Sequence, residues 1–182
     1  MIHDQRNQPP MATLSLTVEL AGFQHGDGVF HIKALAFACP RTWSSGSRVF
    51  DSTRIVPDSA AALRTFACQT AHHGFPLHST GLPPTSTGVV LQTFLQVTML
   101  DWMEAGNAAP ATLILWTKGL QKVHLFADLL HQIHFPELRI HIKNLKDLHY
   151  PPLTQLCPAT QPWSICQKAV RLARWLAEQG LA

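Results

Sequence analysis

Two alternating runs near the start of the chain constrain its fold more than any other feature. In LSLTVELAGF, residues 14–23, Leu14, Leu16 and Val18 alternate with Ser15, Thr17 and Glu19. In VFHIKALAFA, residues 29–38, a second apolar run follows after only GFQHGDG. A period of two is the mark of a strand, and Asp27-Gly28 supplies the residues a tight reversal needs. The pair reads as an antiparallel hairpin. Residues 47–56, SRVFDSTRIV, then read as a third, shorter strand.

The pattern changes after residue 57. Asp58-Ser59 caps a helix, SAAALRTFACQTAHH, because a Ser side chain accepts from an amide that the first turn leaves open. A loop rich in Gly, Pro and Ser follows. Thr85, Ser86 or Thr87 caps VVLQTFLQVTMLDWMEAG, whose Val90, Phe94, Val97 and Leu100 share a stripe and whose Gly106 closes it. ATLILWTKG, residues 111–119, is almost continuously apolar, as a strand covered on both faces must be. LQKVHLFADLLHQIH reads as an amphipathic helix and ELRIHIK, residues 137–143, as a fifth strand. After Pro151-Pro152, SICQKAVRLARWLAEQG is the last helix, with Ile165, Ala169, Leu172 and Leu176 on its inner face. Three strands, two helices, strand, helix, strand, helix describe an α/β domain. Its sheet opens with hairpins and continues with crossovers, so it is mixed.

Composition narrows the class. The 182 residues suffice for one domain with a proper core. The polar start MIHDQRNQPP reads as a flexible arm over residues 1–13, with residues 14–182 forming the domain. It lacks the apolar core of a secretory signal, and no apolar run approaches the roughly 18 residues of a membrane span. The expected location is intracellular, cytoplasmic or nuclear, with no membrane contact. Reduced thiols are expected at Cys39, Cys68, Cys157 and Cys166, the first two in the core. Charged residues make up 14% of the chain, against about 25% in soluble domains. A surface so sparsely charged suits a chain partly covered by a partner. The net charge of +3 permits nucleic-acid binding without requiring it. The 11 histidines are scattered and show no HExxH spacing.

TVELAGF resembles the first motif of the ribonuclease H-like (DEDD-type) exonuclease superfamily, with Glu19 in an acid position. FHIKALAF resembles its second strand. HHGFPL, at His73-Gly74, is similar to the T/N-H-G segment after the first helix. LILWTKGLQK resembles a KGxxK turn, with Lys118, Gly119 and Lys122. Cys157 and Cys166 match the outer cysteines of a C-x2-H-x5-C element. The likeness runs from about residue 14 to about residue 178. It is nearest to the degenerate branch containing the Maelstrom domain and exonuclease-like proteins of arthropod and mobile-element genomes. It implies a ribonuclease H-like mixed five-stranded sheet flanked by helices, and a groove for single-stranded RNA or DNA. The departures are specific. Thr17 or Ala21 stands where a second acid of the first motif belongs, Ala34 where relatives carry Glu, and Thr160 where the C-x2-H-x5-C pattern wants His. The last helix, CQKAVRLARWLAEQ, holds no Asp at all.

Three chemistries remain open to these residues. Two-metal phosphodiester cleavage needs several carboxylates around ions about 4 Å apart; Glu19 is the one acid in place, with Asp147 and His149 as helpers. A zinc site would draw on Cys157, Cys166 and His149. The pattern requires no cofactor, and zinc or magnesium is the ion it would take. Nucleic-acid binding would use cations among Lys33, Lys118, Lys122, Lys143, Lys146, Lys168, Arg171 and Arg174, with Lys118, Lys122, Lys33 and Lys143 the first choices for phosphate contacts. Trp43, Trp116 and Trp163 are candidates for base stacking, although Trp116 reads as core. The expected function is a catalytically degenerate exonuclease-like domain binding single-stranded nucleic acid. The alternatives are a protein-interaction scaffold of a nucleoprotein or viral assembly, and an active metal-dependent 3′-5′ exonuclease.

Overall fold

The computed structural model describes residues 12–151 and 164–182. Five strands form one mixed sheet: β1 (Thr13–Gln24), β2 (Phe30–Ala38), β3 (Ser45–Val49), β4 (Thr112–Thr117) and β5 (Arg139–Asn144). Their order is β3-β2-β1-β4-β5. The first three are joined antiparallel, while β4 lies parallel to β1 and β5 parallel to β4. Among the described residues four helices flank the sheet: α1 (Ala60–His73), α2 (Thr87–Glu104), α3 (Leu120–Leu130) and α4 (Ile165–Glu178). This is the ribonuclease H-like α/β arrangement. Among the described residues no helix is long and apolar enough to cross a membrane.

The hairpin forms as its turn chemistry dictates. The Asp27 carboxylate accepts from the Val29 amide at 2.9 Å, and Gly28 takes φ 87°, a backbone region costly for other residues. Alternation in β1 then separates two layers. Leu14, Leu16, Val18 and Leu20 pack with Leu35, Phe37, Leu113 and Leu115 against α2 and α3. Ser15, Thr17 and Glu19 point to the other side, where α4 lies. That side is lined by small residues, Ala34, Ala36 and Ala38 of β2 with Ala169 and Ala173 of α4. Small side chains let the helix approach closely enough for the Thr17 hydroxyl to reach the Ala169 carbonyl at 2.7 Å. The polar face of β1 is therefore buried under a helix.

Several expectations need correction. The first strand begins at Thr13, inside the arm expected over residues 1–13, whose first eleven residues lie outside the described ones. The third strand spans 45–49 instead of 47–56, and Phe50 continues it only as an isolated bridge to Leu82. In α2 the buried stripe is Val90, Leu91, Phe94, Leu95 and Thr98. Val97 and Leu100, expected inward, are 40% and 53% exposed. Cys68 faces solvent on α1, whereas Cys39 is buried as expected.

Candidate nucleic-acid interface

Register places the site. β1 pairs with β4 only as far as Thr17 opposite Trp116. β4 ends one residue later, and Lys118-Gly119 turns the chain into α3. β1 runs on past that point paired with β2 and no longer with β4, so Glu19 projects beyond the carboxyl end of β4. Crevices outside the carboxyl ends of parallel strands, where neighbouring chains part, are the usual binding positions of α/β sheets. Gly119 adopts φ 108° in that turn, and its amide donates to the Asn144 side chain at 3.0 Å. This contact fixes the start of α3 against β5.

α3 then carries Lys122 onto Glu19. The Lys122 ammonium donates to Glu19 Oε2, joining residues 103 positions apart in the chain. The carboxylate is almost fully enclosed, its side chain 5% exposed, while that of Lys122 is 28% exposed. Two further ammonium groups act on the same carboxylate: Lys118 from the β4–α3 turn and Lys168 from the first turn of α4. Loss of solvent lowers the pKa of both, attraction to Glu19 opposes that shift, and repulsion from Lys122 adds to it. His72 of α1 feels the same group. Its pKa is lowered by partial burial and by Lys168 and Lys122, and raised by Glu19.

The cleft between α1, β1, α3 and α4 holds about 220 Å³. Glu19, Lys122, Lys168 and His72 line it, over a floor of Leu20, Ala21 and Gly22. The β1–β2 register shifts between Ala21 and Gly22, where β2 carries one extra residue, Lys33. A Cβ on Gly22 would lie 2.1 Å from the His31 carbonyl oxygen, so only glycine fits there. Beside the cleft a chain of amides ties three elements together: the Gln24 amide donates to Gln69 Oε1 at 3.1 Å, and Gln121 Nε2 donates to Gln24 Oε1 at 2.9 Å. His73 lies behind them. Its Nδ1 accepts from the Phe75 amide at 3.1 Å, which leaves Nε2–H to donate to the Gly22 carbonyl at 3.3 Å. Burial is the chief cause of its depressed pKa, about 4, so it is neutral.

The site-residue expectations divide. Glu19, Lys118 and Lys122 come together. Lys143, directly opposite Trp116 in the β4–β5 register, faces the α4 side of the sheet and lies 5.3 Å from the Trp116 ring centroid. Lys118 lies 5.0 Å from the Tyr150 ring centroid. Both ammonium groups thus sit on aromatic surface. Lys33 is a correction: it is fully buried and donates to the carbonyl oxygens of Phe50 and of Ser79, the latter at 3.0 Å. It is the residue of β2 left without a β1 partner where the register shifts between Ala21 and Gly22, and its ammonium is committed to those two carbonyls. Trp116 is 5% exposed and cannot stack on a base, whereas Trp43 is 53% exposed. Trp163 lies outside the described residues.

Among the described residues neither a magnesium nor a zinc ligand set is assembled. The lone carboxylate in the cleft is held by an ammonium group, and three lysines repel a divalent cation there. Asp147 is in an exposed turn. For zinc, Cys166 is half-buried at the second position of α4, and His149 is exposed at the left-handed end of that turn, φ 56°. Cys157 lies outside the described residues. Among the described residues no three His, Cys, Asp or Glu side chains group to hold a metal.

Lys168, His72, Gln69 and Gln121 were not among the first choices from sequence. The signal for Lys168 was legible: it stands one turn into the last helix, beside the inward-facing Ala169. His72, Gln69 and Gln121 carry no pattern that separates them from surface residues. No protein-family model matches the chain, and no curated protein sequence is significantly similar to it.

Proposed function

We propose that this chain is a catalytically degenerate, ribonuclease H-like exonuclease-like domain, similar to the Maelstrom branch, and that it binds single-stranded RNA or DNA. The observation that carries this reading is the ion pair of Lys122 with Glu19 in a cleft that Lys168 also lines, with Lys118 of the β4–α3 turn acting on the same carboxylate. Two-metal chemistry gathers carboxylates; this cleft gathers ammonium groups around one carboxylate. They are crowded and partly desolvated, so an incoming phosphate relieves repulsion that Glu19 alone does not offset. Lys143 beside Trp116 extends the positive charge along the same sheet face. Metal ions are not needed for phosphate contact of this kind.

The test combines binding and cleavage. Labelled single-stranded RNA and DNA are incubated with wild type, Glu19→Ala and Lys118→Ala/Lys168→Ala, with Mg²⁺, with Mn²⁺ and with chelator. The expected result is a gel shift that survives chelator, is lost in the double lysine variant and brings no shortening of the strand. Metal-dependent shortening that disappears in Glu19→Ala refutes the degenerate reading in favour of an active exonuclease.

A second reading, a protein-interaction scaffold, draws on the outward face of α2. There Val89, Val97, Leu100 and Met103 are 64%, 40%, 53% and 39% exposed. Apolar stripes of this kind cover themselves with partners. Absence of any shift, together with complex formation lost on Val97→Lys/Leu100→Lys, would favour it.

A further inference from the structure

We infer that a second copy of this chain docks on the outward face of α2, as a two-fold, antiparallel pair of α2 helices. This goes beyond the nucleic-acid reading and does not depend on it, because the face uses none of the residues of the Glu19 cleft. The character of the helix is the first argument. Val90, Leu91, Phe94 and Leu95 are buried on one side of α2, and Val89, Val97, Leu100 and Met103 stand exposed on the other. A helix at a protein surface is normally apolar along one stripe, and one that is apolar all round is covered on both sides. The outward positions Val89, Thr93, Gln96, Leu100 and Met103 follow one another at spacings of four, three, four and three, the repeat by which two helices pack side by side. No Asp, Glu, Lys or Arg occurs between Arg64 and Asp101, so most of the stripe meets its own copy without burying a charge. The Thr93 hydroxyl already donates to the Val89 carbonyl at 2.9 Å. Gln96, at the middle of the stripe, both donates and accepts, so two copies meeting there satisfy each other.

Charge selects the occupant and its direction. Arg48 of β3 lines, with Phe37, Phe94 and Val97, a groove of about 290 Å³ along one flank of the stripe. Asp101 and Glu104 stand four and seven residues beyond Val97 and so lie on that same flank. Arg48 donates to the neighbouring Ser47 carbonyl, and among the described residues none of these three charges is in an ion pair. In a two-fold antiparallel pair, like flanks face each other and the helices run past one another. With Gln96 at the axis, the partner's Leu100 reaches the level of Thr93 at the groove. The partner's Asp101 and Glu104 arrive within the next turn, on the flank that Arg48 occupies, and symmetry repeats both contacts. A parallel pair would set acid beside acid at one end and leave Arg48 without a carboxylate. The face is therefore complementary to itself in one orientation, as an isologous dimer requires.

Sedimentation equilibrium over about 1–100 µM chain tests this, on wild type, Leu100→Lys, Arg48→Glu, Asp101→Arg/Glu104→Arg, and the variant combining all three charge reversals, each checked for native circular dichroism. The expected result is a reversible wild-type dimer that weakens about tenfold or more in Leu100→Lys and in either charge reversal, since each reversal acts twice per dimer. Combining the charge reversals should restore wild-type association. Arg48→Glu, at an exposed strand position, carries the test by itself should the helix variants fail to fold. A wild-type monomer throughout the range overturns the inference, the stripe then being covered by the chain's own residues or by a different partner. A dimer that Leu100→Lys leaves unchanged overturns it too, because another surface then holds the copies together. Charge reversals that have no effect, or that do not rescue one another, overturn the antiparallel pairing.

Discussion

Substituting Lys122 by Met tests the central feature of the site most sharply. Met keeps the length and apolar stem of Lys and removes the charge, so packing changes little. What is lost is the partner of a carboxylate whose side chain is 5% exposed. Stranding one member of a fully buried ion pair costs about 3–5 kcal/mol. Here Lys122 is itself 28% exposed, and Lys118 and Lys168 still act on Glu19. The expected cost is therefore at the low end, about 2–3 kcal/mol, or a fall of about 5–10 °C in Tm for a domain of this size. Glu19→Gln keeps an acceptor in place and releases Lys122 toward solvent, at about 1 kcal/mol. The double variant removes both charges and should cost less than the two single variants together, by about 1–2 kcal/mol. Urea denaturation of the four proteins closes this cycle. A Lys122→Met midpoint indistinguishable from wild type, with additive effects, would refute the reasoning: the carboxylate would then be free of the lysine and open to a cation.

Three other outcomes follow from the same geometry. Glu19→Gln should tighten single-stranded nucleic-acid binding about threefold to tenfold at low salt, because it removes a negative charge from a phosphate site, and the gain should shrink as salt screens it; weaker binding in a filter assay would contradict an anion site. His73 has a folded pKa near 4 against 6.5 for the free side chain. Between those values the unfolded chain binds the proton more readily, so stability present above pH 6.5 is lost as pH falls toward 4, by about 3 kcal/mol, and urea midpoints for His73→Phe should fall less over that range. Lys33→Met should destabilise by about 1–3 kcal/mol through the lost bonds to Phe50 and Ser79, with nucleic-acid affinity by gel shift unchanged once folded; a loss of affinity would return Lys33 to the binding surface.

Periodicity and turn chemistry, both local, are what the chain itself spells out. The alternation in LSLTVELAGF, the Asp27-Gly28 reversal, the apolar run of LILW and the inner face of α4 all follow from which residues stand two, three or four positions apart. They were enough for the α/β class and the order of elements, and they placed Lys118 at the end of β4, whereas Glu19 stands midway along β1, which runs on to Gln24. Alternation within β2 does not decide Lys33, because the register shift between Ala21 and Gly22 leaves it as an extra residue of that strand. Tertiary structure decided what lies across the sheet. That the polar face of β1 is buried under α4 depends on the small residues of β2 and α4 meeting there, not on β1. Cys68 and Leu100 sit on helix faces left exposed among the described residues, and apolar character alone does not reveal which face that is. The pairing of Glu19 with Lys122 spans 103 positions. It exists because β4 stops one residue past Trp116 while β1 continues, bringing a strand carboxylate and a helix ammonium to the same crevice. Charge at a site is a sum over elements brought together by folding, and no local pattern contains that sum.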